Sequence, residues 1–424
     1  MKRACLVLLC AAFCLGGVTG VVAAPKKVAK PAAKKVAQPE EIVLAHQLSF
    51  DDAQRLQKLV DRFNASQKEA VIKLSSGIGK KPAPLNLATM STVAGFAQNK
   101  GSFVSVSQIM REAKEKEPSG LSGDLPETKK PFALPVAFST PVLFYNKRVF
   151  RDKGLDPNKP PKTWHEMQDM AGVLMDRGMT CPYTSSRPVW VHIDNANAIS
   201  GVPAASKAGK LQFNGIEQIR HLAMLATWHK AKYFQTFGRG NEADWHFYNG
   251  QCAMITTDAS AQTLFAQADN MDLGVAPMPR YEDAPGGPAM ADGASLWVGK
   301  GYSKATYRQV ARFLQFVLSP QTTIEIARVG GYLPLTPAAR AAVRSAALAP
   351  ESEALEVASQ ELQGADKTGA RLRVAAIDPV RIIVDEEMEA VWKGKPAKTA
   401  LDDAVRRGNA VLASKPALKK LAVY

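Results

Sequence analysis

Arg381 stands in an apolar run, among Ile377, Val380, Ile382, Ile383 and Val384. A guanidinium held in such surroundings needs a partner, because an unpaired buried cation costs several kcal/mol. Two partners are open: an anionic ligand, or an internal salt bridge to Asp378, Asp385 or Glu386. Other candidate chemistry is thin. His46, His165, His192, His221, His229 and His246 show no H-E-x-x-H or other close metal-ligand spacing, so neither metal nor cofactor is expected. No G-x-S-x-G occurs, and neither Cys181 nor Cys252 has the context of a nucleophile. The acids of Asp385-Glu-Glu-Met-Glu389 could pair for acid–base work, but they read instead as the solvated face and favourable first turn of a helix ending near Trp392 to Gly394. No enzyme is expected. Trp190, in Ser186-Arg-Pro-Val-Trp-Val-His-Ile-Asp-Asn195, is either ordinary core or a wall for a ligand's apolar body or cation.

The elements that must position these residues alternate between helix and strand. Ile42 to Ala45 reads as a short strand, Asp51 to Asn64 as an amphipathic helix with Leu56, Leu59, Val60 and Phe63 on one face, and Ala70 to Leu74 as a second strand. This βαβ opening implies parallel pairing. The connector Gly77 to Pro84 contains Gly and Lys but lacks P-loop spacing. Leu85 to Ala88 is the next strand, Met90 to Lys100 the next helix, and Pro118 to Lys130 a surface excursion. Pro131 to Lys147 reads as one extended apolar strand crossing between lobes, with Ser139 in its middle. Thr163 and Glu166 form a capping box opening a helix to about Arg177. Further helices are expected over 216–230, 307–318 and 322–329, and a turn at Phe247-Tyr-Asn-Gly250 feeds a strand through Cys252. The pattern predicts a two-lobed α/β protein with a ligand cleft between lobes. The first lobe is expected at 42–138 plus about 262–318, the second at 139–261 plus about 319–424.

The N-terminal segment predicts export to the periplasm. Met1-Lys-Arg, the apolar Ala4 to Leu15 and the small residues to Ala24 read as a signal peptide over 1–23, too short in its apolar run for a membrane anchor. A Lys/Ala/Pro-rich leader over 24–41 reads as a disordered tether. The net charge of +15 falls to +8 without the seven cations of those two segments. No basic–aromatic interleaving points to nucleic acid. Cys181 and Cys252 remain in an oxidising compartment; they either pair or stay as two buried thiols.

Several segments, in order, resemble the family 1 extracellular solute-binding proteins of ABC importers, and within them the periplasmic glycerol-3-phosphate binders. They are Phe138-Ser-Thr-Pro-Val-Leu-Phe-Tyr-Asn-Lys147, Gly154-Leu-Asp-Pro with Pro160-Pro-Lys-Thr-Trp164, Phe247-Tyr-Asn-Gly250 with Cys252-Ala-Met254, Gly293-Ala-Ser-Leu-Trp-Val298, Gly331-Tyr-Leu-Pro334, and Arg381 through Trp392 to Arg407-Gly-Asn409. The resemblance implies two hinged α/β lobes in a monomer that hands a small phosphorylated ligand to an inner-membrane permease. By motif, it puts phosphate and glycerol contacts on Ser139, Gly293, Tyr332 and Arg381, and an aromatic wall on Trp190. The first lobe departs from the family. Its tyrosine-bearing loop and helix are replaced by Gly77 to Pro84, and the glutamate that holds the glycerol aligns near Met90. A family serine falls on or beside Asp258, and a second tryptophan becomes Arg187. The expected ligand is a phosphorylated polyol or glycerophosphodiester; the other expectation is a divergent relative acting as a sensory or protein-interaction module.

Overall fold

The computed structural model describes residues 39–48, 50–89, 102–116, 132–206, 208–284, 286–345, 353–362 and 378–414. The expected signal peptide, almost all of the leader, the Met90 to Lys100 helix and the Pro118 to Lys130 excursion lie outside them. From Pro39 onward the chain forms one compact unit built on two sheets.

The first sheet runs β2 (Ala70–Ser76), β1 (Glu40–His46), β3 (Leu85–Thr89), β11 (Asp292–Gly299), β4 (Phe103–Val104), with β5 (Leu134–Ser139) also paired to β11. β1 pairs in parallel with β2 and β3, as the βαβ reading requires. β11, from far down the chain, enters antiparallel between β3 and β5. The helix Phe50–Ser66 buries Val60 and Phe63 against this sheet's core, where the Phe63 ring meets Phe313 edge-on at 5.1 Å. Ordered structure begins earlier than the leader boundary at 41: Glu40 donates its amide to Glu69, and its carboxylate accepts a hydrogen bond from Thr306 Oγ1 at 2.7 Å.

The second sheet runs β10 (Leu273–Ala276), β6 (Pro141–Asn146), β9 (Cys252–Asp258), β7 (Cys181–Ser185), β8 (Phe234–Gln235). The stretch read as one crossing strand is therefore two strands in two sheets, divided at the fully buried Thr140. β10 lies in the second sheet, antiparallel to β6, although the sequence division assigned 262–318 to the first lobe. Apolar Val275 and Ala276 are buried there, so the chain returns to the first sheet only at β11. Cys181 and Cys252 face each other in register across β7 and β9 and are joined, with Cα atoms 4.5 Å apart.

Helices complete the layers. Thr163 and Glu166 cap Trp164–Asp176 reciprocally, as their spacing predicts. Ile216–Lys230, Asp378–Trp392 and Ala397–Ser414 enclose a core of Leu222, Val380, Val384, Met388 and Leu401. Lys304–Val317 and Pro320–Gly330, each opened by a serine cap, cover the first sheet.

Candidate functional site

Three backbone features bring the site together. Asp292, the first residue of β11, lies opposite Ser139, the last of β5, and Asp258 ends β9 in the other sheet. The short linkage Ser139–Thr140–Pro141 between sheets keeps these strand ends near one another. Between β7 and the π-helical turn Trp190–Asn195, Arg187 adopts φ +49°, a conformation costing a non-glycine residue about 1–3 kcal/mol. Its amide is held by Gly240 O at 2.7 Å.

That backbone aims the Arg187 guanidinium across the gap between sheets. It donates to Asp258 Oδ2 at 3.2 Å and to Asp292 Oδ2 at 2.5 Å, and it stacks 4.1 Å above the Trp190 ring. Asp258 Oδ1 also accepts the Ser260 amide at 2.9 Å. Arg381 approaches the same Asp292 oxygen from the helix Asp378–Trp392, at 4.0 Å. Of the in-helix partners considered for Arg381, Glu386 bonds Arg407, whereas Asp385, one turn on, shares a cavity wall with Arg381 and feels its charge. The side chain of Asp378 lies outside the described residues. The ion pair of Arg381 is made instead with the first residue of β11, where strand ends converge.

A polar cavity of about 150 Å³ opens beside this chain of charges, lined by Arg187, Val189, Trp190, Arg239, Gly240, Asn241, Arg381 and Asp385. Trp190 is buried, and among the described residues its Nε1 donor has no partner. Burial pushes the Asp385 carboxyl up to about 6, opposed by Arg381 and Arg239. Burial also raises Asp244 to about 6, although Ser186 Oγ donates to it at 2.6 Å. Arg239 is committed to Glu389 at 2.6 Å.

Of the residues singled out from sequence, Trp190 and Arg381 line the cavity, and Asp258 joins them through Arg187. Gly293 follows Asp292 and lies opposite Phe138, where an added Cβ would stand 1.9 Å from Ala137 O. Ser139 is buried, its hydroxyl directed at Thr140 O at 3.4 Å. Tyr332 follows the left-handed Gly331, and the Leu333 amide is tied to Phe138 O. Its ring borders a separate apolar cavity with Leu48, Leu56 and Val136, so the structure does not place it on the Arg381 cavity. Asp292 and Arg239 were missed. An acid just ahead of Gly293 at a strand entry was the available signal for Asp292; Arg239 carried none.

Two α/β sheets joined by crossing strands, with a charged cavity where strand ends meet, define a two-lobed solute-binding protein. The chain belongs to the bacterial extracellular solute-binding proteins, whose family profile matches residues 60–353. It is 34% identical over 401 residues to the sn-glycerol-3-phosphate-binding periplasmic protein UgpB of Escherichia coli K12, covering 87% of this chain and 91% of that one. It is 33% identical over 406 residues to UgpB of Pectobacterium atrosepticum, covering 88% and 91%. The structure resembles UgpB from Mycobacterium tuberculosis in complex with glycerophosphocholine, with TM-score 0.70 and 18% identity, over 90% of this chain and all of that one. It also resembles the cyclic alpha-maltosyl-1,6-maltose binding protein of Arthrobacter globiformis, with TM-score 0.67 and 20% identity, over 89% and all of the respective chains. These sequence relatives are solute-binding proteins, not enzymes, and are periplasmic. Among the described residues no helix is long and apolar enough to cross a membrane.

Proposed function

We propose that the protein captures a phosphorylated polyol or glycerophosphodiester in the cavity at Arg381 and delivers it to the permease of an ABC importer. The observation that carries this reading is Arg381 itself: its guanidinium lines the cavity with its charge partner, Asp292, at the 4.0 Å limit of an ion pair. A phosphate oxygen at ordinary hydrogen-bond distance would make a charge-assisted bond that Asp292 makes only weakly. The bond chemistry of an enzyme is not needed, since capture requires only that the two lobes approach around a ligand bound between them. The identity with proteins named for glycerol-3-phosphate supports the ligand class.

The test is isothermal titration of the protein with glycerol-3-phosphate beside Arg381→Ala. The expected result is micromolar or tighter binding that weakens at least about 100-fold in the variant, in keeping with loss of a charge-assisted bond. Equal affinity in wild type and variant would remove Arg381 from the site.

A further inference from the structure

We propose that Arg187 is this protein's own occupant of the cation position on the Trp190 face, and that it confines the ligand to phosphate esters whose alcohol part carries no positive charge. This narrows the ligand class of the function proposed above and rests on it. A large aromatic wall in a binding cavity ordinarily serves either an apolar body or a cation, and quaternary ammonium groups are recognised by such faces. Here the face is taken. The Arg187 guanidinium lies 4.1 Å from the Trp190 ring centre, at stacking distance.

Arg187 is also fixed there by more than the stacking. Its amide bonds Gly240 O at 2.7 Å, its Nη1 bonds Asp258 and its Nη2 bonds Asp292. The left-handed backbone at this position is unfavourable for arginine and persists only where surrounding bonds hold it. A trimethylammonium group entering the cavity would therefore have to displace a guanidinium held by two carboxylates, or lie against it and meet like-charge repulsion. Asp258 and Asp292 do not reverse this. Both are bonded to Arg187, Asp258 takes the Ser260 amide as well, and the same Asp292 oxygen faces Arg381. Asp385 also lines the cavity, and there the charges of Arg381 and Arg239 act on it. Three carboxylates are thus matched by three guanidinium groups, so no surplus negative charge awaits an incoming cation. An uncharged glycerol body meets no such obstacle.

The test is calorimetric titration of wild type and Arg187→Gln with glycerol-3-phosphate and with glycerophosphocholine, beside free choline on the wild type. The wild type is expected to favour glycerol-3-phosphate by about tenfold or more and to give no heat with choline, since a cation on an aromatic face is worth up to about that factor in a partly desolvated site. In Arg187→Gln the preference should shrink to about threefold or reverse. Equal or tighter wild-type binding of glycerophosphocholine overturns the assignment while leaving the phosphate-capture reading intact. An unchanged preference in a folded Arg187→Gln, checked by circular dichroism, overturns it too. If the variant does not fold, the wild-type preference alone decides. Binding of neither ligand by the wild type would instead bring down the underlying function, and this inference with it.

Discussion

Gly293 shows how little freedom the site has at single residues. A Cβ there would lie 1.9 Å from Ala137 O and 2.7 Å from the Phe138 Cα, both backbone atoms that no side-chain rotation can move. Gly293→Ala should therefore push β11 away from β5 and lower stability by about 1–3 kcal/mol, the usual cost of overpacking, as read from urea unfolding midpoints. A midpoint unchanged from wild type would mean that the two strands separate without cost. The Arg381 side chain was legible in sequence because a cation in an apolar run demands a partner. Its partner was not, since Asp292 is distant along the chain and only the meeting of two sheets brings it within reach. Arg187 to Asp292, 105 positions apart, was hidden for the same reason. Asp258 and Arg187, two departures from the family pattern in the sequence, are bonded to one another.

Elements with strong local signals came through nearly intact. The helix Ile216–Lys230 has the expected bounds, the capping box places the start of Trp164–Asp176, and β1, Phe50–Ser66 and β2 form the expected parallel unit. Periodicity and capping are local and need no knowledge of the remainder of the chain. What failed depended on distant partners. Residues 131–147 carry one uninterrupted apolar pattern, yet Leu134–Ser139 pairs with β11 while Pro141–Asn146 pairs with β9 and β10. A hydrophobic run says that a strand is buried, not which sheet buries it. The π-helical turn at Trp190 has no sequence signature of its own; Asn195 Nδ2 reaches back to Trp190 O at 3.1 Å and helps hold it. The Cys181–Cys252 pair was an open choice until β7 and β9 proved to be neighbours.

At the scale of the whole molecule, two sets of buried groups pull stability in opposite directions with pH. His192 and His221 are fully buried, with one ring nitrogen of each 3.1 Å from the other, and His221 also meets the Tyr281 hydroxyl at 2.9 Å. Burial holds His192 well below 6.5, with His221 adding to the effect, and takes His221 down to about 3, with Arg220 adding. The unfolded chain accepts those protons near 6.5 and the folded one refuses them, so this contribution is whole above 6.5 and is lost as pH falls towards 3. Asp244 and Asp385 act the other way. Raised to about 6 from 3.8, they favour the folded state fully below 3.8, and that contribution is lost as pH rises through 6. The melting temperature should therefore fall only gently between pH 6 and 4, and more steeply in Asp244→Asn, where one opposing group is gone. Thermal melts of both proteins across that range check it, and parallel curves would show that Asp244 titrates normally in the folded protein.

A phosphate held at Arg381 between two lobes is tested most directly by a crystal structure of the protein grown with glycerol-3-phosphate. The expected result is phosphate density in the cavity beside Trp190, with an oxygen at about 2.7–2.9 Å from the Arg381 guanidinium. Ligand bound elsewhere, with Arg381 still facing Asp292 alone, would contradict it.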